Sequence, residues 1–204
     1  MTKPNYEDRV WVDDERKLEG ICDALALAQN ENENVLIIAH FEETLAAVEA
    51  KLRSRPTAYR SFFPNDYAAL CAASSRKVWL ALASYFQPQY SATLDKPAQG
   101  SLRVLIAEHH PMRSKDRAVL ESLDGLRCRT RVVFHIALTD ALLSHFGGEK
   151  LQTLLERLGH EEETYLSHTL IGNAIRNAQE KVDRRVHNEI KARSASEWVK
   201  YNLR

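Results

Sequence analysis

Short runs of β-branched and aliphatic residues alternate along this chain with stretches whose apolar positions recur every three or four residues, so the pattern predicts strands and helices in turn. Asp13 or Asp14 can cap a helix over about residues 14–30, with Leu18, Ile21, Cys22, Leu25 and Ala28 on one face. The polar run ENEN ends it, and VLIIAHF follows as a strand of the kind buried on both faces of a parallel sheet. Leu45, Val48 and Leu52 mark the inner face of a helix over about 42–54, with Pro56 beyond its end. TAYRSFF, KVWLALASY, LRVLIAE and TRVVFHIAL read as further strands. NDYAALCAASS reads as a helix with a small-residue face, and PMRSKDRAVLESL as a helix with Pro111 near its start. Residues 87–100 have turn composition and are expected to form an exposed loop. Strands alternating with helices imply parallel crossovers, so the expected fold is α/β, an open parallel sheet with helices on both faces.

Beyond Thr139 the pattern is helical throughout. ALLSHF and EKLQTLLERLG are short pieces, and one long helix is expected from about Ser167 to past Lys191. On it Leu170, Ile171, Ala174, Ile175, Ala178, Val182, Val186 and Ile190 form a continuous stripe, and Trp198 and Tyr201 carry apolar surface into the tail. The chain thus divides into an α/β domain over 1–146 and a helical extension over 147–204. A small sheet cannot cover so long a stripe. Part of it is expected to fold back, to pair with another copy as a homo-oligomer, or to dock on a partner.

With 204 residues the chain has room for one core of ordinary size plus an appendage. A hydrophobic content of 44% and a charged content of 27% are those of a soluble globular protein. No apolar run approaches the roughly 18 residues of a membrane span, so no integral membrane segment is expected. MTKPNYEDRV lacks the apolar core of a secretory signal. Cys22, Cys71 and Cys128 are scattered and odd in number, which argues against a disulfide framework and for a reducing cytoplasm.

The formal net charge of zero hides an asymmetry. Residues 7–43 carry eleven acids against three bases, and residues 176–204 carry eight bases against four acids. Solvated helix faces account for this, or else a basic tail that meets an acidic partner, a lipid surface or another copy's N-terminus. The near-neutral balance argues against nucleic acid as a partner.

The segment LRVLIAEHHPMRSKDRAVLESLDGLRCRTRVVFHIALTDALLSHF resembles, without a gap, the second motor domain of SecA, the bacterial ATPase that drives preproteins through the membrane. Glu108, His110, Arg113 and Asp116 keep the spacing of that family's ERHESRRID motif. Phe134, Leu138, Asp140, Leu142 and Phe146 match its FYLSLEDDLMRIF motif. VLIIAHFEETLAAVEAKL is more loosely similar to the first strand and helix of the same domain. Further on, Gly147, Leu158, Gly159, Glu161 and His168 fall in register with the family, as do Ala174, Ile175, Asn177, Ala178, Gln179, Lys181 and Val182. The string AI-x-NAQ-x-KV is the most specific of these. The resemblance implies a RecA-like motor sheet leading into the start of the helical scaffold.

It also implies a loss. A motor of this type needs a glycine-rich phosphate loop with Lys and Ser or Thr, an acidic pair for magnesium, and arginines from the second domain. No G-x-x-x-x-G-K-[ST] string occurs here. Where the family reads QLRGRSGRQG this chain reads AVLESLDGLR, so Leu120, Ser122 and Gly125 stand at the arginine positions. None of them can donate to a phosphate as a guanidinium does. The family's Gly-Arg-Gly-Thr-Asp turn is missing too. Arg127, Arg129 and Arg131 lie nearby, but their alternate spacing at a strand start reads as exposed edge charge. No nucleotide site, catalytic residue or cofactor is therefore expected.

Glu108, His109 and His110 invite a metal reading. Neighbours at a strand end point to opposite faces, however, so they make a poor shared site and no metal is expected. Leu120, Leu123 and Leu126 are spaced three apart on one side of a helix. With Val182, Val186, Ile190 and Trp198 they form a candidate interaction surface. The expected function is a non-catalytic, cytoplasmic interaction module or accessory factor related to preprotein translocation. Its partners would be a SecA-like translocase, itself or an export-complex component. The alternatives are half of a split ATPase completed by a separate chain, and a helicase-like nucleic-acid binder.

Overall fold

In the computed structural model, six strands form one open sheet in the order β1-β6-β5-β2-β4-β3, and every pairing is parallel. The strands are β1 (Tyr6–Trp11), β2 (Asn34–Ala39), β3 (Arg60–Ser61), β4 (Val78–Leu82), β5 (Ser101–Ile106) and β6 (Arg129–Ala137). The structure describes residues 6–72, 76–86, 100–126, 128–146, 165, 167 and 169–203. The turn-rich stretch from 87 to 99, the EKLQTLLERLG piece and Arg127 lie outside them.

Strand β2 shows why this sequence makes such a sheet. All six of its residues are buried, and they alternate between two cores. Val35, Ile37 and Ala39 meet helices α1 (Asp14–Asn30) and α2 (Glu42–Arg53). Leu36 and Ile38 face the other layer. That layer holds α3 (Tyr67–Leu70), α4 (Arg113–Asp124), α5 (Ala141–Phe146), α6 (Thr169–Arg185) and α7 (Ala195–Asn202). The open parallel α/β sheet read from the sequence is the one observed. Helix α1 starts as expected, with the Asp13 carboxylate accepting from the Arg16 backbone N–H at 2.8 Å.

Several local readings are corrected. Residues 6–11 form a strand that the hydrophobic pattern did not reveal, because three consecutive charged residues interrupt YEDRVW and its ladder is supplied by β6. Trp11 anchors this edge strand: its indole N–H donates to His135 Nδ1 at 3.2 Å. The ring also lies where a Cβ on Gly20 would come within 2.0 Å of it, so α1 needs glycine there. TAYRSFF contributes only the two residues of β3 before Pro64 opens a short 3-10 turn.

The long C-terminal helix ends at Arg185, not past Lys191. The Asn202 side chain takes both backbone groups of Ile190, at 2.7 and 2.9 Å, in place of a helical turn. The chain turns back and seats Trp198, 1% exposed, in the core. Of the expected surface residues, Leu123, Leu126, Val182, Val186 and Trp198 are therefore buried within the chain itself, Leu120 is partly buried, and Ile190 is 56% exposed. Folding back is the outcome. Helices α6 and α7 share one apolar core with the sheet across the expected boundary at residue 146.

The cysteine reading is also overturned: Cys71 and Cys128 are joined as a disulfide, their Cα atoms 5.5 Å apart, and Cys22 is free and buried. A separation of 57 residues hid the pair, which only the folded sheet brings together.

Candidate functional site

The chain first runs β1 to β2 to β3 with α1 and α2 on one face. It then returns through β4, β5 and β6 with α3 and α4 on the other. Between β2 and β5 the following helices depart to opposite faces, which opens a crevice outside the carboxyl ends of these strands. Open α/β sheets characteristically bind ligands at such a place. Here it is built from His40 and Phe41 after β2 and from residues 107–112 after β5.

Glu108 occupies the amino end of α2. Its carboxylate accepts from the His40 N–H at 3.0 Å, the Phe41 N–H at 3.1 Å and the Thr44 hydroxyl at 2.7 Å. Phe41 is the cap residue and has no side-chain acceptor, so Glu108 reaches across the crevice to take the N–H of the cap and of the residue before it. Burial pushes the Glu108 carboxyl up to about 7, against the opposing pull of the Thr44 hydroxyl.

Asp116, in the first turn of α4, is the hub of the site. Oδ2 lies 2.6 Å from His109 Nδ1 and accepts from Gln179 Nε2 at 2.6 Å. Oδ1 accepts from the His110 backbone N–H at 2.9 Å and lies 2.8 Å from His40 Nε2. Gln179 also donates to the His110 carbonyl at 2.8 Å. His109 stacks on Phe134 with ring centroids 4.0 Å apart, and its Nε2 lies 3.2 Å from Asp8. Burial alone would lower the His109 pKa, but Asp116 and Asp8 outweigh it and hold the imidazole up at about 10. The same contacts, overcoming burial, hold Asp116 well below the usual carboxylate range. This is a buried ion pair with its lone pairs satisfied, a positioning device rather than a poised acid or base.

The structure therefore brings Glu108, His110 and Asp116 together, but Arg113 points away and pairs with Glu180 on α6 at 2.9 Å. Residues 107–112 have left the strand, and both imidazoles are buried but face different neighbours: His109 packs on Phe134 beside Asp8, and His110 packs on Phe41 beside Trp198 and Glu189. His40, Asp8 and Glu189 were not singled out from sequence, and His109 was weighed only as a metal ligand. Gln179 was noted only as part of the NAQ string.

The positions at which the resemblance places arginines lie further along α4. This helix contains no glycine and runs unbroken to Asp124. Ser122 is wholly buried, its Oγ 3.1 Å from the Tyr67 hydroxyl. Leu120 packs against the core, and Gly125 caps the helix end.

The tail closes the crevice from above. Glu189 accepts from the Trp198 indole at 2.9 Å and pairs with Lys115 at 2.6 Å, with His110 Nε2 at 3.4 Å. These contacts, the His110 bond first, hold the Glu189 carboxyl well below its ordinary value. The Arg193 carbonyl accepts from the Glu43 N–H at 3.1 Å, and the Arg193 side chain pairs with Glu42 at 3.1 Å. A cleft of about 610 Å³ remains between tail and sheet.

No protein-family model matches the chain. Among curated proteins, SecA of Chlorobium limicola is 24% identical over 189 residues, covering 90% of this chain and 18% of its own. SecA of Acetivibrio thermocellus is 32% identical over 112 residues, 54% of this chain and 12% of its own. SecA 1 of Chlorobium chlorochromatii is 33% identical over 84 residues, 41% of this chain and 8% of its own. The chain is thus similar to SecA at low identity, and it spans less than a fifth of the length of these relatives.

Among solved structures, the C-terminal part of the Fun30 ATPase domain overlaps 82% of this chain and 54% of its own, at 14% identity and a TM-score of 0.45. The C-terminal domain of a possible DNA helicase from Lactobacillus plantarum overlaps 65% and 73%, at 14% identity and a TM-score of 0.40. Among the described residues no helix is long and apolar enough to cross a membrane.

Proposed function

We propose that this chain is a non-catalytic module related to the second motor domain of SecA, acting by binding a SecA-like translocase or another component of an export complex. One observation carries the reading. Helix α4 is continuous where a motor needs a glycine-rich turn, and Ser122, at one arginine position, is sealed in the core against Tyr67. A guanidinium there would have to lie in apolar surroundings, far from any phosphate.

The test pairs nucleotide titration of the purified chain with affinity capture from native cells. The expected result is no ATP turnover, no saturable ATP binding, and recovery of a SecA-like or export-complex protein. ATP hydrolysis by the chain alone that disappears on replacing Arg127 or Arg129 would overturn the proposal. ATPase activity appearing only with a captured partner that carries a phosphate loop would favour a split motor instead. Recovery of nucleic acid in place of protein would favour the helicase-like alternative.

A further inference from the structure

We propose that the cleft between the tail and the carboxyl ends of β2, β4 and β5 binds a small amphipathic carboxylate, an apolar body bearing a single negative charge. Its volume of about 610 Å³ is in the range of small-molecule sites. Its position is the topological switch point of the sheet. Leu82, Ala118 and Ala192 give its wall half-buried apolar surface, backed by the buried Phe41, Phe86 and Trp198, which suits a hydrocarbon or aromatic body.

Charge at the cleft decides the ligand's polar end. Lys115 is neutralised by Glu189 at 2.6 Å and Glu42 by Arg193 at 3.1 Å. Lys191, on the same wall and exposed, has no ion-pair partner among the described residues. One cation remains for one anionic group. A phosphate dianion is poorly served by one lysine set beside the carboxylates of Glu42 and Glu189. Ser84, exposed at the mouth, adds a neutral hydroxyl.

The test uses the full chain and the fluorescent monoanion 1-anilinonaphthalene-8-sulfonate as probe, with octanoate and octylamine as competitors. Saturable binding at one site per chain is expected, displaced by octanoate and not by octylamine. Lys191→Glu should weaken octanoate competition about tenfold or more, a loss of about 1.4 kcal/mol per tenfold. Ser84→Trp should plug the mouth and abolish the site. Both residues are exposed, so unchanged melting by circular dichroism confirms that the variants fold. Non-saturable probe binding, equal competition by octylamine, or full binding in both variants would each overturn the proposal.

Discussion

The two halves of helix α4 have been put to opposite uses. Its first turn presents Arg113 and Asp116 to partners on α6, on the loop after β5 and on the loop after β2. Its second half presents Val119, Ser122 and Leu123 to an apolar layer that admits no charge. Both halves lie within the stretch most similar to SecA. The polar positions that match the family motif are those whose partners here are structural. The positions that differ are those where the motif would present cations. A residue resembling a motor motif can thus be explained by what it braces. Asp116 and Gln179, 63 residues apart, clamp α6 to the first turn of α4, and Gln179 also holds the loop after β5 at the His110 carbonyl.

That contrast can be broken from either side. The largest effect is expected from Ser122→Arg, which forces a guanidinium into the sealed half of the helix. It should cost about 4 kcal/mol or more in denaturant unfolding, and a well-folded variant would show that this half is not closed. Asp116→Ala should cost about 3–5 kcal/mol, because it strands a buried cation at His109. Gln179→Leu, which removes the bond to the Asp116 carboxylate and the one to the His110 carbonyl, should cost about 2 kcal/mol.

Titration sharpens the comparison further. His109 is raised from 6.5 to about 10, so its contribution is fully present below pH 6.5 and is lost as pH rises toward 10. Asp116 is lowered, so its contribution is present above pH 3.8 and is lost as pH falls below that. The pair should be flat between these limits, and Asp116→Asn should remove the alkaline decline. Glu108, raised from 4.5 to about 7, adds a separate fall in stability over that interval, which Glu108→Gln should erase. The smallest effect is expected from Arg113→Ala. Its ion pair with Glu180 is exposed and worth less than about 1 kcal/mol.

Local pattern was enough for the centre of the molecule. Strand β2 and helix α2 are written in contiguous residues, and their faces follow from spacing alone. The edge was not legible: YEDRVW is a strand because β6 offers a ladder, and no alternation survives the charged run Glu7, Asp8 and Arg9 to record that. The stop after Arg185 was equally hidden, since the turn that replaces further helix is held at Ile190 by Asn202, twelve residues on. Within the site, resemblance pointed to Glu108, His110 and Asp116. It could not supply His40 or Asp8, whose roles exist only once β1, β2 and β5 lie side by side. The pairing of Cys71 with Cys128 failed for the same reason.

The fit of Trp11 against Gly20 has a practical corollary for anyone trimming this protein. A fragment that starts after residue 11 would keep every helix, yet it would bare a strip of α1 and leave the His135 imidazole, wholly buried, without its indole donor. Such a fragment should be sticky for reasons unrelated to biology, and proteins retrieved with it would be mistaken for partners. Baits for this chain should begin ahead of Tyr6.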